Sequence, residues 1–330
     1  MDTKRAGLGA VLLAVALWGV GGTVAGDLFE HGVAPLELVS VRMWTAAAGL
    51  LLIVLLRRER LRVGSEWPAV VGFGLGVAVA SAALFLSISR LPVAVALVLQ
   101  NLAPAFILGW TAIVTRRRPS RRVVLGIALA LGGVAFVVEL PTAPLDRIDL
   151  LGVVYGLLTA VAVGVYSLLG ERAVKACGAM TANTWAFGVS AVLWIVYQVP
   201  HGVPAIAVDR SHLTTAVLIG LFGTLIPFLL YSWGIRSVGA TLGAVNMSLE
   251  PLFGAALAWA WLGQALTPAQ IAGAAVVLIA LVDVQVQAGR TWKSSASKVV
   301  LSERSPTAPG SRIGGPPSPL SETVNSTLPP

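Results

Sequence analysis

The chain carries the same apolar pattern twice, and this repetition constrains its fold more than any other feature. Residues 102–106 read Leu-Ala-Pro-Ala-Phe, and residues 249–253, which lie 147 positions later, read Leu-Glu-Pro-Leu-Phe. In each copy a glycine, Gly126 or Gly273, lies 22 residues after the proline. A pattern that recurs at a fixed offset indicates one structural unit that is present twice.

The apolar runs around these motifs are long enough to cross a membrane. Hydrophobic residues make up 56% of the chain and charged residues 12%, whereas soluble domains carry about 25% charged residues. A helix needs roughly 20 apolar residues to cross the hydrocarbon core, and the strict alternation of a membrane barrel is missing from these runs. The sequence therefore predicts an all-α integral membrane protein with ten transmembrane helices, near residues 7–26, 35–56, 67–88, 91–115, 122–140, 149–170, 181–199, 213–235, 239–263 and 268–288.

Five spans in each half have a geometric consequence. Because five is odd, the second half enters the membrane from the opposite side, and the halves become inverted repeats related by a pseudo-two-fold axis in the membrane plane. We predict a first repeat over residues 1–145 and a second over residues 146–288. The remaining residues, 289–330, are rich in proline and serine and are predicted to form a disordered cytoplasmic tail.

The basic residues predict the orientation. If the N-terminus is cytoplasmic, most of the 23 lysines and arginines fall on the cytoplasmic side, including the cluster at 116–122. The outside loops then hold only Arg90, Arg147 and Arg210, while Arg42 lies within a helix. This asymmetry follows the positive-inside rule and predicts a multi-pass protein of the plasma membrane with both termini in the cytoplasm. The same rule explains the net charge of +8 without any nucleic-acid partner.

Several other classes of function lack their sequence signals. A glycine-rich phosphate loop does not occur, so ATP-driven pumping by this chain is not expected. The lone Cys177 and the scattered histidines His31, His201 and His212 predict neither a disulfide nor a metal site. The loops hold no paired carboxylates or histidine clusters, so we predict that the chain is not an enzyme and needs no cofactor.

Short motifs along the chain match a known family. They are Trp18-Gly19; Pro35-Leu-Glu37 followed by Arg42; Pro104; Leu249-Glu250-Pro251; and the stretch 262–268, Leu-Gly-Gln-Ala-Leu-Thr-Pro. With these motifs, residues 7–288 resemble the EamA-type transporters of the drug/metabolite transporter superfamily. The resemblance implies ten helices in two inverted repeats and a transport function, and it does not specify a substrate. The chain departs from the family pattern at Gln264, where glutamate is usual, and at Thr115-Arg116-Arg117 in the first repeat.

An ionisable side chain deep in a membrane needs a reason, because it costs about 2.5–3.5 kcal/mol at the centre of a spanning helix. Glu250 is the clearest case, since it lies about halfway along the predicted span 239–263. Pro251 removes a backbone donor beside it and opens the helix there. The carboxyl group is a candidate to carry a proton or to bind a cationic substrate. A purely structural role, as a protonated or arginine-paired carboxyl between helices, stays open.

Arg42 is the second ionisable candidate, two turns into the predicted helix 35–56. Its guanidinium group can bind a carboxylate or a phosphate through two parallel hydrogen bonds. It can equally extend toward the membrane surface or fix its helix to a neighbour, and we favour this structural role. Glu37, five residues earlier, points to a different side of the helix and is a poor partner for it.

Uncharged polar and aromatic residues complete the predicted site. The polar ones flank the two helix-breaking prolines: Gln100 and Asn101 precede Pro104, and Asn246 and Ser248 precede Pro251. They either line a central cavity or bond neighbouring helices together, and we favour the cavity. The candidate aromatic walls of that cavity are Trp18, Trp44, Tyr155 and Tyr166.

Together these features predict a secondary transporter. It would move a small organic metabolite or drug-like solute across the plasma membrane by alternating access, with proton coupling through Glu250 left open. The alternative is a flippase for a lipid-linked or amphiphilic substrate, which an opening toward the lipid would favour. The expected partners are the solute, the lipid bilayer and, for a coupled transporter, protons; a homodimer is left open.

Overall fold

Transmembrane helices make up the body of the protein. The computed structural model describes residues 2–116, 120–141, 144 and 147–303, and these form helices without any strand. The α-helices are α1 (Asp2–Glu30), α2 (Pro35–Arg57), α3 (Trp67–Ile88), α4 (Val93–Gln100), α5 (Ala103–Thr115), α6 (Arg121–Val137), α7 (Leu150–Cys177), α8 (Ala179–Gln198), α9 (Arg210–Gly220), α10 (Ile226–Val238), α11 (Ala240–Met247), α12 (Glu250–Leu262) and α13 (Pro268–Glu303). One π-helical turn, Leu221–Leu225, joins α9 to α10.

Local residue chemistry sets many of these boundaries. Three helices end at glycines with positive φ, namely Gly178 (+82°), Gly239 (+88°) and Gly263 (+66°), a backbone conformation that residues with a Cβ rarely adopt. Prolines lie in the first turn of α2, α3, α5, α10 and α12. A proline is tolerated there because the first-turn N–H groups have no partner within the helix.

The duplicated sequence pattern becomes a duplicated helix break. The predicted span 91–115 is divided into α4 and α5, and the predicted span 239–263 is divided into α11 and α12. The two short helices α4 and α11 begin 147 residues apart, and so do α5 and α12. Pro104 and Pro251 are each the second residue of the helix after the break. Each proline thus starts a new helix midway through the membrane instead of bending a continuous one.

Eight helical stretches of the described chain are long and apolar enough to cross a membrane. The predicted spans 122–140 and 239–263 are not among them. The first corresponds to α6, which has 17 residues and a length of about 25 Å at 1.5 Å per residue. The second is divided into α11 and α12, of 8 and 13 residues. The all-helical membrane architecture is confirmed, and the count of ten spans stays a prediction.

The last helix extends into the predicted tail. α13 ends at Glu303, so its final turns belong to the segment 289–330 that the sequence predicts to be disordered. The side chains from residue 287 onward and all of residues 304–330 lie outside the described part of the chain. The disorder of the tail is therefore still a prediction.

Equivalent helices of the two repeats meet face to face. α6 and α13 are antiparallel, and a Cβ placed on Gly273 would lie 2.6 Å from the Gly133 carbonyl oxygen. A Cβ placed on Gly126 would lie 3.6 Å from the Ala280 carbonyl oxygen. At the 147-residue offset, Gly126 corresponds to Gly273 and Gly133 corresponds to Ala280. The two contacts therefore join the same pair of positions, with the repeats exchanged. Such reciprocity is the signature of a two-fold axis, which for two antiparallel helices passes between them.

A charged cap stabilises the start of α7, at the end of the loop between the two halves. Asp149 caps α7 by accepting a hydrogen bond from the Gly152 N–H at 2.8 Å, and Arg90 donates to its other carboxylate oxygen at 3.1 Å. The Gly152 bond, followed by Arg90, holds the pKa of the Asp149 carboxyl below its ordinary value. A carboxyl with a lowered pKa stabilises the fold at neutral pH, and this stabilisation is lost as the pH falls through the folded-state pKa.

We expect Asp149→Ala to destabilise the protein by about 1 kcal/mol, the usual effect of removing a helix cap. Asp149→Asn should retain much of the stability, because the amide oxygen still accepts from Gly152. Thermal unfolding in detergent, followed from neutral to acidic pH, measures both effects. The difference between the wild type and Asp149→Ala should shrink toward acidic pH; a difference independent of pH would contradict a charged cap.

Candidate functional site

A cavity of about 250 Å³ lies in the middle of the bundle, between helices of both repeats. Six of its hydrogen-bonding side chains come from α2, α3, α4, α7, α10 and α12, namely Arg42, Ser81, Gln100, Tyr166, Tyr231 and Glu250; Ser167 and Thr224 also line it. Its aromatic walls come from α1, α3, α8 and α10; they are Trp18, Phe85, Phe187 and Phe228. The cavity therefore combines one cationic and one carboxyl side chain with aromatic and aliphatic walls.

The two helix breaks bring Glu250 and Gln100 together. Gln100 is the last residue of α4, and Glu250 is the first residue of α12. The Gln100 Nε2 donates to both Glu250 carboxylate oxygens, at 3.2 and 3.4 Å, and Glu250 is only 5% exposed. A carboxylate in a first turn is also favoured by the positive end of the helix dipole. The break thus gives a membrane-buried carboxyl a suitable electrostatic setting.

Arg42 is the cationic side chain of the cavity lining. Its Nη2 donates to the Ser81 hydroxyl at 3.0 Å, and its guanidinium carbon lies 4.5 Å from the centre of the Phe85 ring. Its buried Nε has no hydrogen-bond partner in the described structure. The ion pairs of the described residues do not include one between Arg42 and Glu250. The guanidinium group therefore keeps donor capacity that its protein neighbours do not use.

The aromatic walls pack against each other and form a rigid surface. The Trp18 ring meets the edge of Phe228 at 5.5 Å and lies 5.6 Å from Tyr231, measured between ring centres. Phe187 contacts Phe228 in an edge-to-face arrangement at 5.2 Å. Edge-to-face pairs of this kind stabilise each other by about 0.5–1.5 kcal/mol beyond the burial of their area.

A π-helical turn widens the helix next to the cavity. Gly223 and Thr224 of this turn line the cavity, and Pro227 follows four residues after Gly223. A proline cannot donate to the carbonyl one turn earlier, so the regular hydrogen-bond ladder is interrupted here. The turn also lets α1 approach closely, since a Cβ on Gly21 would lie 3.1 Å from the Gly223 Cα. π turns are frequent at functional sites.

The structure brings together some of the predicted residues. Trp18, Arg42, Gln100, Tyr166 and Glu250 line the cavity. The others do not: Asn101, Asn246, Ser248, Trp44 and Tyr155 are not part of its lining.

Local hydrogen bonds explain most of the exceptions. Asn101 and Asn246 each donate to the carbonyl four residues earlier in their own helices, at 2.9 and 2.7 Å. Trp44 donates through Nε1 to the Ala191 carbonyl of α8 at 3.2 Å, and this contact links equivalent positions of the two repeats. The Ser248 hydroxyl is buried and has no partner among the described residues.

Among the other lining residues, seven polar or aromatic ones were not predicted from the sequence. They are Ser81, Phe85, Ser167, Phe187, Thr224, Phe228 and Tyr231. Gly223 and Pro227 lie within the predicted span 213–235 and indicate an irregular helix there. This irregularity could have pointed to Thr224 and to the lining residues that follow it. For Ser81 and the phenylalanines the sequence offers no comparable signal, because single serines and phenylalanines are common in membrane helices.

Two further hollows lie on the flanks of the bundle and are mainly apolar. One of about 900 Å³ lies between α5, α6 and α7 and includes Phe106, Trp110 and Leu168. Another of about 470 Å³ lies between α4, α12 and α13 and includes Trp259 and Leu266. The first also includes Glu171, Arg172 and Lys175 at one end, whereas the central cavity holds the buried Glu250 and the half-buried Arg42. The apolar parts of both hollows suit contact with lipid chains.

The family model described as the EamA-like transporter family matches the chain twice, at residues 5–139 and 150–284. The two matches cover the two halves that share the sequence pattern, so the two-repeat architecture is confirmed. Among curated relatives, the uncharacterized inner membrane transporter YicL of Salmonella typhimurium is 23% identical over 89% of this chain and 100% of its own length. The uncharacterized transporter YwfM of Bacillus subtilis is 27% identical over 82% of this chain and 90% of its own length.

A third relative bears a specific name. The threonine/homoserine exporter RhtA of Escherichia coli is 25% identical over 82% of this chain and 88% of its own length. A solved structure described only as a crystal structure of a protein aligns with a TM-score of 0.58 and 21% identity. That alignment covers 88% of this chain and 99% of the solved chain, and at this level of identity it supports the fold alone.

Proposed function

We propose that this chain, which belongs to the EamA-like transporter family, is a secondary transporter that carries a small organic solute across the plasma membrane by alternating access. The observation that supports this proposal is the central cavity, where Arg42 and Glu250 face one space from different repeats. A solute bound between two repeats can be exposed to either side when the repeats rock against each other.

The size of the cavity favours a metabolite over a drug-sized compound. Its volume of about 250 Å³ lies below the range of roughly 300–1,000 Å³ that drug-sized ligands occupy. The similarity to RhtA, whose name gives threonine and homoserine as exported solutes, agrees with a solute of this size. We therefore place small amino acids among the first solutes to test.

The outer ends of the repeats are joined by side-chain hydrogen bonds. With both termini in the cytoplasm, the loop after α12 lies outside, and its Gln264 accepts from the Val93 N–H at 3.1 Å and donates to Glu30 at 3.0 Å. Thr267 donates to Glu139 at 2.6 Å in the same region. We take these contacts to close the cavity toward the outside in the state described here. The inverted repeats would open this side by separating the same contacts.

A cysteine pair tests this closure. Glu139→Cys with Thr267→Cys, in a Cys177→Ser background that removes the single native cysteine, should form a cross-link across the outer end. We expect the cross-linked protein to lose at least nine-tenths of its transport, because the repeats can no longer separate there, and a reductant should restore it. The measurement is solute flux in proteoliposomes before and after oxidation.

The matched control places both cysteines on one helix. Glu171 and Lys175 form an ion pair one turn apart on α7, so a cross-link between Glu171→Cys and Lys175→Cys does not join the repeats. Transport should survive oxidation in this variant. Undiminished transport by fully cross-linked 139–267 protein would contradict closure at this position.

The general test is uptake of a pooled library by proteoliposomes that contain the purified protein. The library should include amino acids, sugars and amphiphilic amines, each offered with and without a pH gradient. Accumulation of at least one compound above protein-free vesicles is the expected result. If no compound moves, the transport proposal fails and translocation of a lipid-linked or amphiphilic substrate becomes the hypothesis to pursue.

A further inference from the structure

We propose that the central cavity selects zwitterions, with the solute carboxylate on Arg42 and the solute ammonium on Glu250. This inference rests on the proposed transport function and specifies the chemistry of its solute. It assigns separate roles to the two ionisable groups of the cavity. The solute class that fits is an α-amino acid with a small or medium side chain.

The first support is the way in which the two charged groups are held. Glu250 is fixed by the neutral Gln100 amide, and Arg42 by the neutral Ser81 hydroxyl. The two charges attract each other, but no direct ion pair joins them among the described residues. A buried charge without a counter-charge is costly. A solute with one charge of each sign, bound between them, lowers this cost at both ends.

The second support is the asymmetry between the repeats. At the 147-residue offset, Ala103 is the counterpart of Glu250 and Val189 is the counterpart of Arg42. The same position in the other repeat therefore folds with an apolar side chain in each case. Since the architecture does not need a charge at these positions, the charges are explained better by a ligand than by packing.

The third support is the unused donor of the guanidinium group. Arg42 has an Nε without a partner, while its Nη2 is bonded to Ser81. A guanidinium group binds a carboxylate best through two parallel N–H donors. The Nε is enclosed by protein atoms in this state, but Ser81 takes only one of the five guanidinium N–H donors, so donors remain to bind a solute carboxylate without breaking the Ser81 bond.

The aromatic walls complete the site for the rest of the solute. Trp18 and Tyr231 present ring surfaces that attract an ammonium group through cation–π contact. Phe187 and Phe228 supply apolar surface for a side chain. A simple amine would leave Arg42 without a counter-charge, a simple carboxylate would leave Glu250 without one, and a sugar would satisfy neither.

The test changes the chemical groups of the solute and uses the wild-type protein, so its result does not depend on whether a variant folds. Wild-type proteoliposomes are assayed with L-alanine, L-threonine and L-leucine, with their methyl esters, which lack the carboxylate, and with their N-acetyl derivatives, which lack the ammonium. For at least one of the three amino acids we expect transport, and we expect each edit to weaken competition with it at least tenfold. Equal competition by the esters or by the N-acetyl compounds would overturn the assignment.

Variants then assign each solute group to one side chain. Arg42→Gln should lose the preference for the free acid over the methyl ester, and Arg42→Lys should recover part of it. Glu250→Gln should lose the preference for the free amine over the N-acetyl compound. The matched controls are Arg62→Gln and Glu59→Gln, which alter exposed residues of the α2–α3 loop and should keep both preferences.

The outcome separates this inference from the proposed function. If the protein carries an amine, a carboxylate or a sugar from the pooled library but none of the amino acids, transport is established and the zwitterion assignment is overturned. If it carries no compound at all, the transport proposal itself fails. If amino acids move but the two variants retain wild-type preferences, the assignment of the charges to Arg42 and Glu250 is wrong.

Discussion

Glu250→Gln is expected to abolish accumulation of solute driven by a pH gradient and to lower initial uptake by roughly 10- to 100-fold. A hydrogen bond to a charged group contributes about 1.5–3 kcal/mol, and each 1.4 kcal/mol corresponds to about a tenfold change in binding. Glutamine fills nearly the same volume and can still contact Gln100, so the change removes the charge and the protonation site with little effect on packing. Transport in proteoliposomes with and without an imposed gradient measures both effects.

The direction of the gradient is part of the prediction. One carboxylate cannot hold a proton and a solute ammonium together, so the two compete for Glu250. Competition at a single alternating site makes the proton and the solute exchange in opposite directions. We therefore expect solute to accumulate in vesicles whose lumen is more acidic than the bath, as protons leave. The exposed Glu59 supplies the matched control, and Glu59→Gln should behave like the wild type.

Two results would count against this role of Glu250. Gradient-driven accumulation that survives in Glu250→Gln would show that another group couples the proton. Uptake that ignores the gradient in the wild type would leave a facilitator, with Glu250 as a binding residue only. The purified variant should elute as a single species at the wild-type position, so that a loss of transport is not a loss of fold.

The position of Glu250 shows what the sequence can predict. A carboxyl in the middle of an apolar run must have a reason, and this cost alone pointed to Glu250 and Arg42, both of which line the cavity. Pro104 and Pro251 likewise marked the helix breaks, because proline lacks the donor that a continuous helix needs. Strong local energetics thus predicted the charged part of the candidate site, whose function stays a proposal.

Asn101, Asn246 and Trp44 were predicted to line the cavity, but they are not part of its lining. An amide or an indole has several ways to satisfy its donors in a membrane helix. Asn101 and Asn246 use carbonyls of their own helices, and Trp44 uses a carbonyl of α8. The choice depends on how each helix is rotated against its neighbours, and a membrane helix that is apolar on nearly every side does not encode that rotation in its sequence pattern. For the same reason, the sequence did not predict that Phe187 and Phe228 line the cavity.

Gly273→Val is expected to be the most destabilising substitution in the contact between the repeats. Even a Cβ at this position would lie 2.6 Å from the Gly133 carbonyl oxygen and 2.7 Å from the Val137 amide nitrogen. These are backbone atoms, so α6 and α13 must separate to admit the side chain. Forcing extra volume into a packed interior costs about 1–3 kcal/mol, and we expect a value near 3 kcal/mol here. Thermal unfolding in detergent measures the change.

Gly132→Val is the matched control, because it adds the same side chain to the same helix pair. A Cβ on Gly132 meets nothing within 4 Å, and the residue is exposed on the outer face of α6. Its unfolding temperature should therefore stay close to that of the wild type. Gly273→Ala should fall between the two, since the clash of its Cβ outweighs the gain of about 1 kcal/mol from replacing glycine in a helix.

The position of the Gly133–Gly273 contact determines whether a substitution there affects stability or solute preference. Gly133 and Gly273 lie within about one helical turn of the point where the pseudo-two-fold axis relates α6 to α13, and a rocking motion of the repeats moves atoms near that axis least. Under the proposed alternating-access cycle, this contact should hold the repeats together in both states, whereas the outer bonds of Glu139 and Gln264 should break once in each cycle. Gly273→Val should therefore lower stability more than it alters solute preference. If it unfolds at the same temperature as Gly132→Val, the two helices do not pack through these glycines.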